Sequence, residues 1–121
     1  ISLFDFLSIG DKHKELMQDK DNYSTGINYN SLIMNGSNVF NFTINENKDF
    51  IKNFIRKNNL KKKINFVILH QASKIVNDNL QRNLGLNKKF FLKNYNKVGN
   101  TVSSSIPILL KQNQKKLKNK K

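Results

Sequence analysis

The stretch FVILHQAS, residues 66–73, carries the strongest structural signal of the chain. It overlaps a short apolar run, residues 64–69, whose β-branched side chains predict a strand buried on both faces. His70 follows at the end of that strand. Helical spacing of apolar residues then predicts a helix over about residues 73–83, and Gly85 is a natural stop. A strand that leads into a helix in this way is typical of a layered α/β protein.

A second informative stretch, YNKVGNTVSSSIP, covers residues 95–107. Residues 90–95 predict another strand, and Val98-Gly99-Asn100 predicts a turn. One of the three serines at 103–105 is expected to cap a last helix, with Pro107 in or near its first turn. The apolar side of this helix is expected to consist of Ile106, Leu109, Leu110 and Leu117. The Lys-rich residues 111–121 are expected to form the end of the helix or a frayed tail.

The first half of the chain gives weaker signals. Residues 1–9 have the composition of a buried strand that ends at Gly10. The polar residues 11–30 predict a loop with a short helix around Glu15. Apolar residues at offsets of about four predict a helix over about residues 45–59. The expected order is strand, loop, helix, strand, helix, strand, helix, which indicates an α/β protein without repeats or linkers.

Composition limits the possible classes of protein. A chain of 121 residues with 37% hydrophobic residues, 25% charged residues and nine Phe can form one folded domain or part of one. Its formal charge of +14 would suit nucleic acid, an anionic membrane or an acidic protein. However, the abundance of Lys, Asn and Ile is also the signature of AT-rich coding, and no recognition motif is present. We therefore expect neither a nucleic-acid nor a membrane partner.

The chain has no Cys, which excludes a disulfide, a thiolate metal site and a Cys nucleophile within it. Residues 1–10 are apolar but contain Asp5, lack a basic leader and are too short to span a bilayer, so we expect a cytoplasmic protein. Because the chain begins in a strand-like run without Met, we expect it to be cut from a longer polypeptide. No metal and no cofactor are expected.

Two polar residues are candidates for chemistry because each follows an apolar strand. They are His70 and Asn100. Strand ends in α/β folds hold reacting groups on a rigid scaffold beside an open crevice. Taken singly, a His at a strand end is more often structural and a Gly-Asn pair is more often a simple turn.

Together, the two stretches resemble the ketoacyl-ACP synthase III (beta-ketoacyl-acyl-carrier-protein synthase III) family of the thiolase-like superfamily. In that family a His-Gln-Ala-Asn segment supplies the active-site His, and a Gly-Asn-Thr-Ser segment leading into Ser-Ile-Pro supplies the active-site Asn. Residues 34–40, MNGSNVF, also resemble the family's Met-x-Gly-x-x-Val-Phe segment, which lies along the pantetheine channel. The three motifs occur in the family's order and cover nearly the whole chain.

The resemblance implies a thiolase-like fold, in which two similar α/β halves pack into a five-layered αβαβα arrangement. Residues 1–121 would be the C-terminal domain, incomplete and truncated at both ends, of an enzyme that is a homodimer at full length. The implied reaction begins when a Cys takes an acyl group from acyl-CoA. Malonyl-ACP then loses carbon dioxide and attacks the acyl thioester, a decarboxylative Claisen condensation used in the initiation of fatty-acid biosynthesis or in a related pathway.

By the same resemblance, His70 and Asn100 donate hydrogen bonds to the enolate oxygen that forms on decarboxylation. Each such donor typically contributes about 3 to 4 kcal/mol of transition-state stabilisation. The resemblance also assigns two further sets of residues. The pantetheine channel would contain Gly36, Ser37, Phe40 and Ser73, and the acidic carrier protein would dock on Lys74 and Arg82.

Several positions depart from the family pattern. Ser73 and Ser37 stand where many members have Asn, and Ile75 stands where an Arg usually receives the carrier protein, with Lys74 beside it. The resemblance implies that the nucleophilic Cys belongs to the half that this chain does not contain, so we expect the chain alone to be inactive. Two alternatives stay open from the residues. One is a related Cys-His-Asn acyltransferase of secondary metabolism or glycan modification, and the other is a non-catalytic truncated remnant.

Overall fold

The computed structural model describes residues 3–19 and 31–118. The chain divides into two compact units, Ile1–Phe50 and Ile51–Lys121, called here the N-terminal unit and the C-terminal unit. Within the described ranges, no helix is long and apolar enough to cross a membrane.

The elements in chain order are a 3-10 turn (Gly10–Glu15), strands β1 (Leu16–Asp19) and β2 (Ser31–Met34), helix α1 (Gly36–Phe42), a π-helical turn (Thr43–Asn47), helix α2 (Lys48–Lys57), strand β3 (Val67–Ile68), helix α3 (Lys74–Asn83), a 3-10 turn (Lys88–Phe90), strand β4 (Phe91–Leu92), helix α4 (Tyr95–Val98), a 3-10 turn (Val102–Ser104), and helices α5 (Ser105–Gln112) and α6 (Gln114–Lys118). Strands β1 and β2 pair antiparallel, with Leu16 opposite Met34. Strands β3 and β4 pair parallel, with Val67 opposite Phe91.

The N-terminal unit differs from the prediction at its start. Residues 3–9 form no strand, and Phe4 and Phe6 are 89% and 82% exposed, so the expected buried strand is wrong. A strand needs a hydrogen-bonding neighbour, and no described strand pairs with this segment. Ile1 and Ser2 lie outside the described residues. The short helix expected near Glu15 is present as the 3-10 turn that ends there.

The predicted loop over residues 11–30 is also partly wrong, because β1 lies within it. Polar composition suggested a loop, yet the backbone of β1 is satisfied by pairing with β2. Residues 20–30 of that loop lie outside the described part of the chain.

Helical structure begins earlier than the predicted residue 45. Helix α1 starts at Gly36 because Asn35 caps it: Asn35 Oδ1 accepts a hydrogen bond from the backbone N–H of Asn38 at 3.2 Å. From there the backbone remains helical through a π-helical turn and α2, which ends at Lys57. The predicted helix therefore corresponds to the end of the π-helical turn and to α2.

The hydrophobic core of the C-terminal unit forms around the buried residues Leu84, Leu86 and Phe91. Five partly buried residues pack against them: Ile51, Ile55, Ile64, Val67 and Leu69. The strand predicted over residues 64–69 is shorter than expected, since only β3 is extended, and its residues are half-buried rather than fully buried. Its only partner among the described strands is β4, so one edge lacks a neighbouring strand to cover it.

The strand–helix connection after His70 agrees with the prediction. Ser73 caps helix α3, since its Oγ accepts from the N–H of Val76 at 3.2 Å. Gly85 stops the helix in the left-handed conformation, with φ of +64°. The predicted turn at Gly99 is also present, with φ of +65°, and the strand predicted over residues 90–95 is reduced to β4.

The last predicted helix is divided in two at Asn113, where α5 ends and α6 begins. Leu109 is fully buried, but Ile106 and Leu110 are 39% and 42% exposed, so the expected apolar side is only partly buried. Helix α6 continues to Lys118, and residues 119–121 are outside the described range.

Candidate active site

His70 lies in the segment between β3 and α3, where the parallel strand ends. Its ring Nδ1 is 2.6 Å from the hydroxyl oxygen of Ser105, the first residue of α5. Its backbone carbonyl accepts a hydrogen bond from Asn77 Nδ2 at 3.1 Å. The ring of His70 is therefore hydrogen-bonded to α5 and its backbone to α3, while the residue itself is exposed in this chain.

A buried polar network lies behind His70. Its members are nearly or fully excluded from solvent: Gln71, Asn77, Asn94 and Ser105. Gln71 Oε1 accepts from the backbone N–H of Asn94 at 3.1 Å, and Gln71 Nε2 donates to the Leu69 carbonyl at 2.7 Å. Buried polar groups destabilise a fold unless they are paired, and in this connected set only Asn94 Oδ1 lacks a partner among the described residues. The segment that carries His70 is therefore rigidly supported.

Asn100 follows the left-handed Gly99 at the end of helix α4. Its Oδ1 accepts a hydrogen bond from the backbone N–H of Val102 at 2.9 Å. Val102 has φ of +49°, a conformation that is unfavourable for a β-branched residue. Asn100 Nδ2 contacts no acceptor among the described residues, and Asn100 is exposed. The Oδ1 atom of Asn100 is thus hydrogen-bonded to the turn, and the Nδ2 amide group is available to donate to a ligand.

The residues assigned to the pantetheine channel fall in both units. Ser73 lies in the C-terminal unit with His70 and Asn100, whereas Gly36, Ser37 and Phe40 lie on α1 in the N-terminal unit. Ser37 donates its hydroxyl hydrogen to Asn35 Oδ1 at 2.9 Å. The hydroxyl groups of both serines therefore take part in helix caps, which the sequence interpretation did not anticipate.

The residues assigned to carrier-protein docking lie on α3, and one of them is paired. Lys74 Nζ is 2.7 Å from Asp78 Oδ2, one helical turn away. Asp78 Oδ1 is also bonded to Lys93 Nζ at 2.5 Å and to the Tyr95 hydroxyl at 2.8 Å. Hydrogen bonds from Lys74, Lys93 and Tyr95 hold the pKa of Asp78 well below its usual range, and the bond to Asp78 raises the pKa of Lys74. Arg82, in the last turn of α3, is exposed.

Ser105 is the site residue that sequence reasoning missed. It appeared there only as one of three candidate helix caps. In the structure Ser104 holds the cap position without a side-chain hydrogen bond, and the Ser105 hydroxyl is directed to His70 instead. The sequence gives no local signal for this contact, because 35 residues separate the two partners.

Comparisons with known proteins identify the family to which the chain is similar. The family described as 3-oxoacyl-[acyl-carrier-protein (ACP)] synthase III C terminal matches residues 55–121. The chain is 32% identical over 100 residues to the beta-ketoacyl-[acyl-carrier-protein] synthase III of Prochlorococcus marinus (strain MIT 9515), covering 82% of this chain and 30% of the relative. It is 34% identical over 92 residues to the enzyme of that name from Streptococcus equi subsp. zooepidemicus (strain MGCS10565), covering 74% of this chain and 28% of the relative.

Solved structures share the fold. A beta-ketoacyl-[acyl carrier protein] synthase III from Thermus thermophilus superposes with a TM-score of 0.74 at 28% identity, covering 89% of this chain and 35% of that one. A 3-oxoacyl-(acyl-carrier protein) synthase from Burkholderia xenovorans LB400 gives a TM-score of 0.76 at 22% identity, covering 93% of this chain and 36% of that one, and shows the fold alone.

These matches confirm the predicted α/β fold as an incomplete part of the thiolase-like arrangement. The chain spans about 30% of the length of the Prochlorococcus relative. Since the family match covers residues 55–121, more than half of the 121-residue sequence, the chain belongs to the C-terminal family of 3-oxoacyl-[acyl-carrier-protein] synthase III.

Proposed function

We propose that this chain is the enolate-stabilising part of a 3-oxoacyl-ACP synthase III-type acyltransferase. A Cys in the portion that the chain does not cover takes the acyl group from acyl-CoA, and CoA leaves as a thiol. Malonyl-ACP then loses carbon dioxide, and the resulting enolate attacks the acyl thioester, forming a carbon–carbon bond and releasing the Cys thiol. His70 and Asn100 serve this second stage.

The observation that supports this function is the way in which the two side chains are anchored. His70 is held through Nδ1 by Ser105, and Asn100 is held through Oδ1 by the N–H of Val102. These hydrogen bonds leave Nε2 of His70 and Nδ2 of Asn100 available to the substrate. Two fixed nitrogen donors match an oxygen that becomes negative only when the carbon–carbon bond of malonate breaks.

The physical benefit is electrostatic. Donors that are already in place need no reorganisation when charge develops, and each typically contributes about 3 to 4 kcal/mol to the transition state. A strained turn at Val102 is a common cost of such a rigid site, since unusual backbone conformations concentrate where function requires them.

The pantetheine arm of the substrates is proposed to pass Gly36, Ser37, Phe40 and Ser73. A hydroxyl has one donor and two acceptor sites, so a serine in a helix cap keeps capacity for a ligand. Ser73 Oγ accepts from Val76 and retains its O–H for donation, whereas Ser37 uses its O–H and retains an acceptor.

The partner is proposed to be an acidic acyl-carrier protein that docks near Lys74 and Arg82, in an enzyme that is a cytoplasmic homodimer. Lys74 and Lys93 share the single carboxylate of Asp78, so the cluster keeps a net positive charge that Arg82 extends. Opposite charges of this kind steer association. Acyl-CoA and malonyl-ACP are substrates, and no metal or cofactor is assigned to the reaction.

The test uses the chain joined to the Cys-bearing portion, called the complete enzyme below. We expect His70→Ala and Asn100→Ala to lower decarboxylation of malonyl-ACP about 10²- to 10³-fold, because each removes one enolate donor. Release of labelled carbon dioxide measures decarboxylation, and mass spectrometry of the acyl-Cys measures loading. Loading should remain detectable in both variants.

Two further variants sharpen this test. Asn100→Asp keeps an oxygen for the Val102 N–H but removes the amide donor, so it should lose decarboxylation as Asn100→Ala does. Asn96→Ala changes an exposed residue of α4 and should behave as the wild type. Equal loss of loading and decarboxylation in the Asn100 variants would contradict the proposal.

A further inference from the structure

We propose that Ser105 is a positioning residue that sets the tautomer of His70, by donating its hydroxyl hydrogen to Nδ1 and so keeping the ring hydrogen on Nε2. This inference rests on the proposed function, because it explains how His70 can donate to an enolate. The inference adds Ser105 to the site and gives a direction to its hydrogen bond with His70, neither of which follows from the donor roles of His70 and Asn100 alone.

The contact is short and well supported. Ser105 Oγ lies 2.6 Å from His70 Nδ1, and Ser105 is fully buried. The serine is the first residue of α5, and Leu109, one turn further along the same helix, is also fully buried. Anchoring of that helix in the core fixes where the hydroxyl oxygen stands relative to β3 and the segment that follows it.

A second contact of the Ser105 hydroxyl is compatible with this direction of the hydrogen bond. The backbone N–H of Gln71 points to the same Oγ at 3.4 Å, and a backbone N–H can only donate. Ser105 Oγ accepts from Gln71 with one of its two lone pairs, which leaves its own hydrogen available to donate to His70 Nδ1. We assign this direction because the reverse one would leave Nε2 without the hydrogen that the proposed function requires. In a neutral imidazole a nitrogen that accepts a hydrogen bond carries no proton, which places the hydrogen on Nε2.

The position of Gln71 is itself fixed. Its side chain accepts from the Asn94 N–H at 3.1 Å and donates to the Leu69 carbonyl at 2.7 Å, and Gln71 is fully buried. The backbone donor that contacts the Ser105 hydroxyl oxygen is thus held by the buried network. The opposite tautomer would turn Nε2 into an acceptor, which would repel the enolate oxygen instead of stabilising it.

The direct test is ¹⁵N NMR of histidine-labelled complete enzyme, with the His70 signals assigned by their absence in His70→Ala. In the wild type we expect Nδ1 to show the signal of an unprotonated, hydrogen-bonded nitrogen and Nε2 to carry the hydrogen. In Ser105→Ala the hydrogen-bonded Nδ1 signal should be lost and the Nδ1-protonated form should appear. A wild-type ring with its hydrogen on Nδ1 would overturn the inference.

The kinetic test asks whether the hydroxyl matters for the second stage alone. Ser105→Ala should lower the kcat of decarboxylation about ten- to a hundredfold, as loss of a group that orients a functional histidine does, with KM for malonyl-ACP nearly unchanged. Ser105→Thr, which keeps the hydroxyl, should restore much of the rate. Ser104→Ala is the matched control, because this exposed neighbour makes no side-chain cap bond, and it should leave the rate unchanged.

The outcomes separate this inference from the proposed function. If His70→Ala abolishes decarboxylation while Ser105→Ala changes neither the spectrum nor the rate, the function stands and the role of Ser105 is refuted. If the Ser105→Ala spectrum changes as expected while His70→Ala decarboxylates normally, the tautomer assignment stands and the function fails. Near-UV circular dichroism checks folding, and if the buried Thr variant does not fold, the Ser105→Ala spectrum alone decides.

Discussion

The two units of the chain differ in what holds them together. In the N-terminal unit, no residue for which burial is described is buried, and apolar side chains such as Phe4, Phe6 and Leu32 are largely exposed. The C-terminal unit has a hydrophobic core and, next to it, the polar network that supports His70. The unit that contains His70 and Asn100 therefore also contains a buried core, whereas the described residues of the N-terminal unit form no equivalent core.

The largest expected effect comes from deleting a core side chain. Leu109→Ala should lower the free energy of unfolding by about 2 to 5 kcal/mol, because it leaves a cavity around a fully buried side chain. Leu32→Ala, on β2 of the N-terminal unit, should change it by less than about 0.5 kcal/mol, since Leu32 is 72% exposed. Urea unfolding of the complete enzyme measures both. Similar losses in the two variants would remove the distinction between the units.

A smaller effect of opposite sign is expected at the strained turn. Val102→Gly should raise the free energy of unfolding by about 1 kcal/mol, because relief of a backbone strain of about 1 to 3 kcal/mol exceeds the entropic cost of Gly. Val102 is 72% exposed, so little packing is lost. The matched control is Val39→Gly on α1, where the helical backbone suits Val and the change should destabilise. Stabilisation in both variants, or in neither, would contradict the assignment of strain to Val102.

The smallest expected effect concerns Asp78. Asp78→Asn should lower the free energy of unfolding near neutral pH by roughly 0.5 to 1 kcal/mol, the scale of a partly exposed ion cluster. Because the pKa of Asp78 is lowered in the folded protein, its contribution is present above the unfolded pKa of about 3.9 and is lost as pH falls further. The wild type and the variant should therefore converge as pH falls from about 5 toward 2.

Unfolding curves at a series of pH values test the Asp78 prediction. Asp49→Asn is the control in the N-terminal unit, since its carboxylate is 65% exposed and lies 3.5 Å from a single lysine, Lys48. That variant should differ little from the wild type at any pH. A wild-type advantage that grows on acidification would mean that the sign of the Asp78 contribution is wrong.

The elements that the sequence predicted well are those with local signals. Helix α3 spans Lys74–Asn83 and stops at Gly85, as the spacing of its apolar residues and the glycine predicted, although the cap by Ser73 was not foreseen. The strand expected over residues 1–9 failed because strand formation depends on a neighbour that a local window cannot supply. The early start of helical structure at Gly36 was missed although Asn35, a favourable cap residue, stands before it.

In the candidate site, too, features with a local sequence signal were predicted and those that depend on distant residues were not. His70 and Asn100 were found through motifs in two short stretches, and their roles stay predictions until the variants are measured. Ser105 was missed because its contact with His70 spans 35 residues and exists only in the folded unit. The pairing of Lys74 with Asp78 was readable in principle, since opposite charges four residues apart on a helix commonly meet.

Asp78 has a geometric consequence beyond its charge. The helix on which it stands begins four residues after His70, and its carboxylate also binds Lys93 and Tyr95, in the segment that leads to Asn100. A single side chain thus bonds to both of the stretches from which the proposed donors project, and we expect it to restrain the distance between them. Substitutions at this position would widen the distribution of donor–donor distances, and their cost in rate can exceed their modest cost in stability.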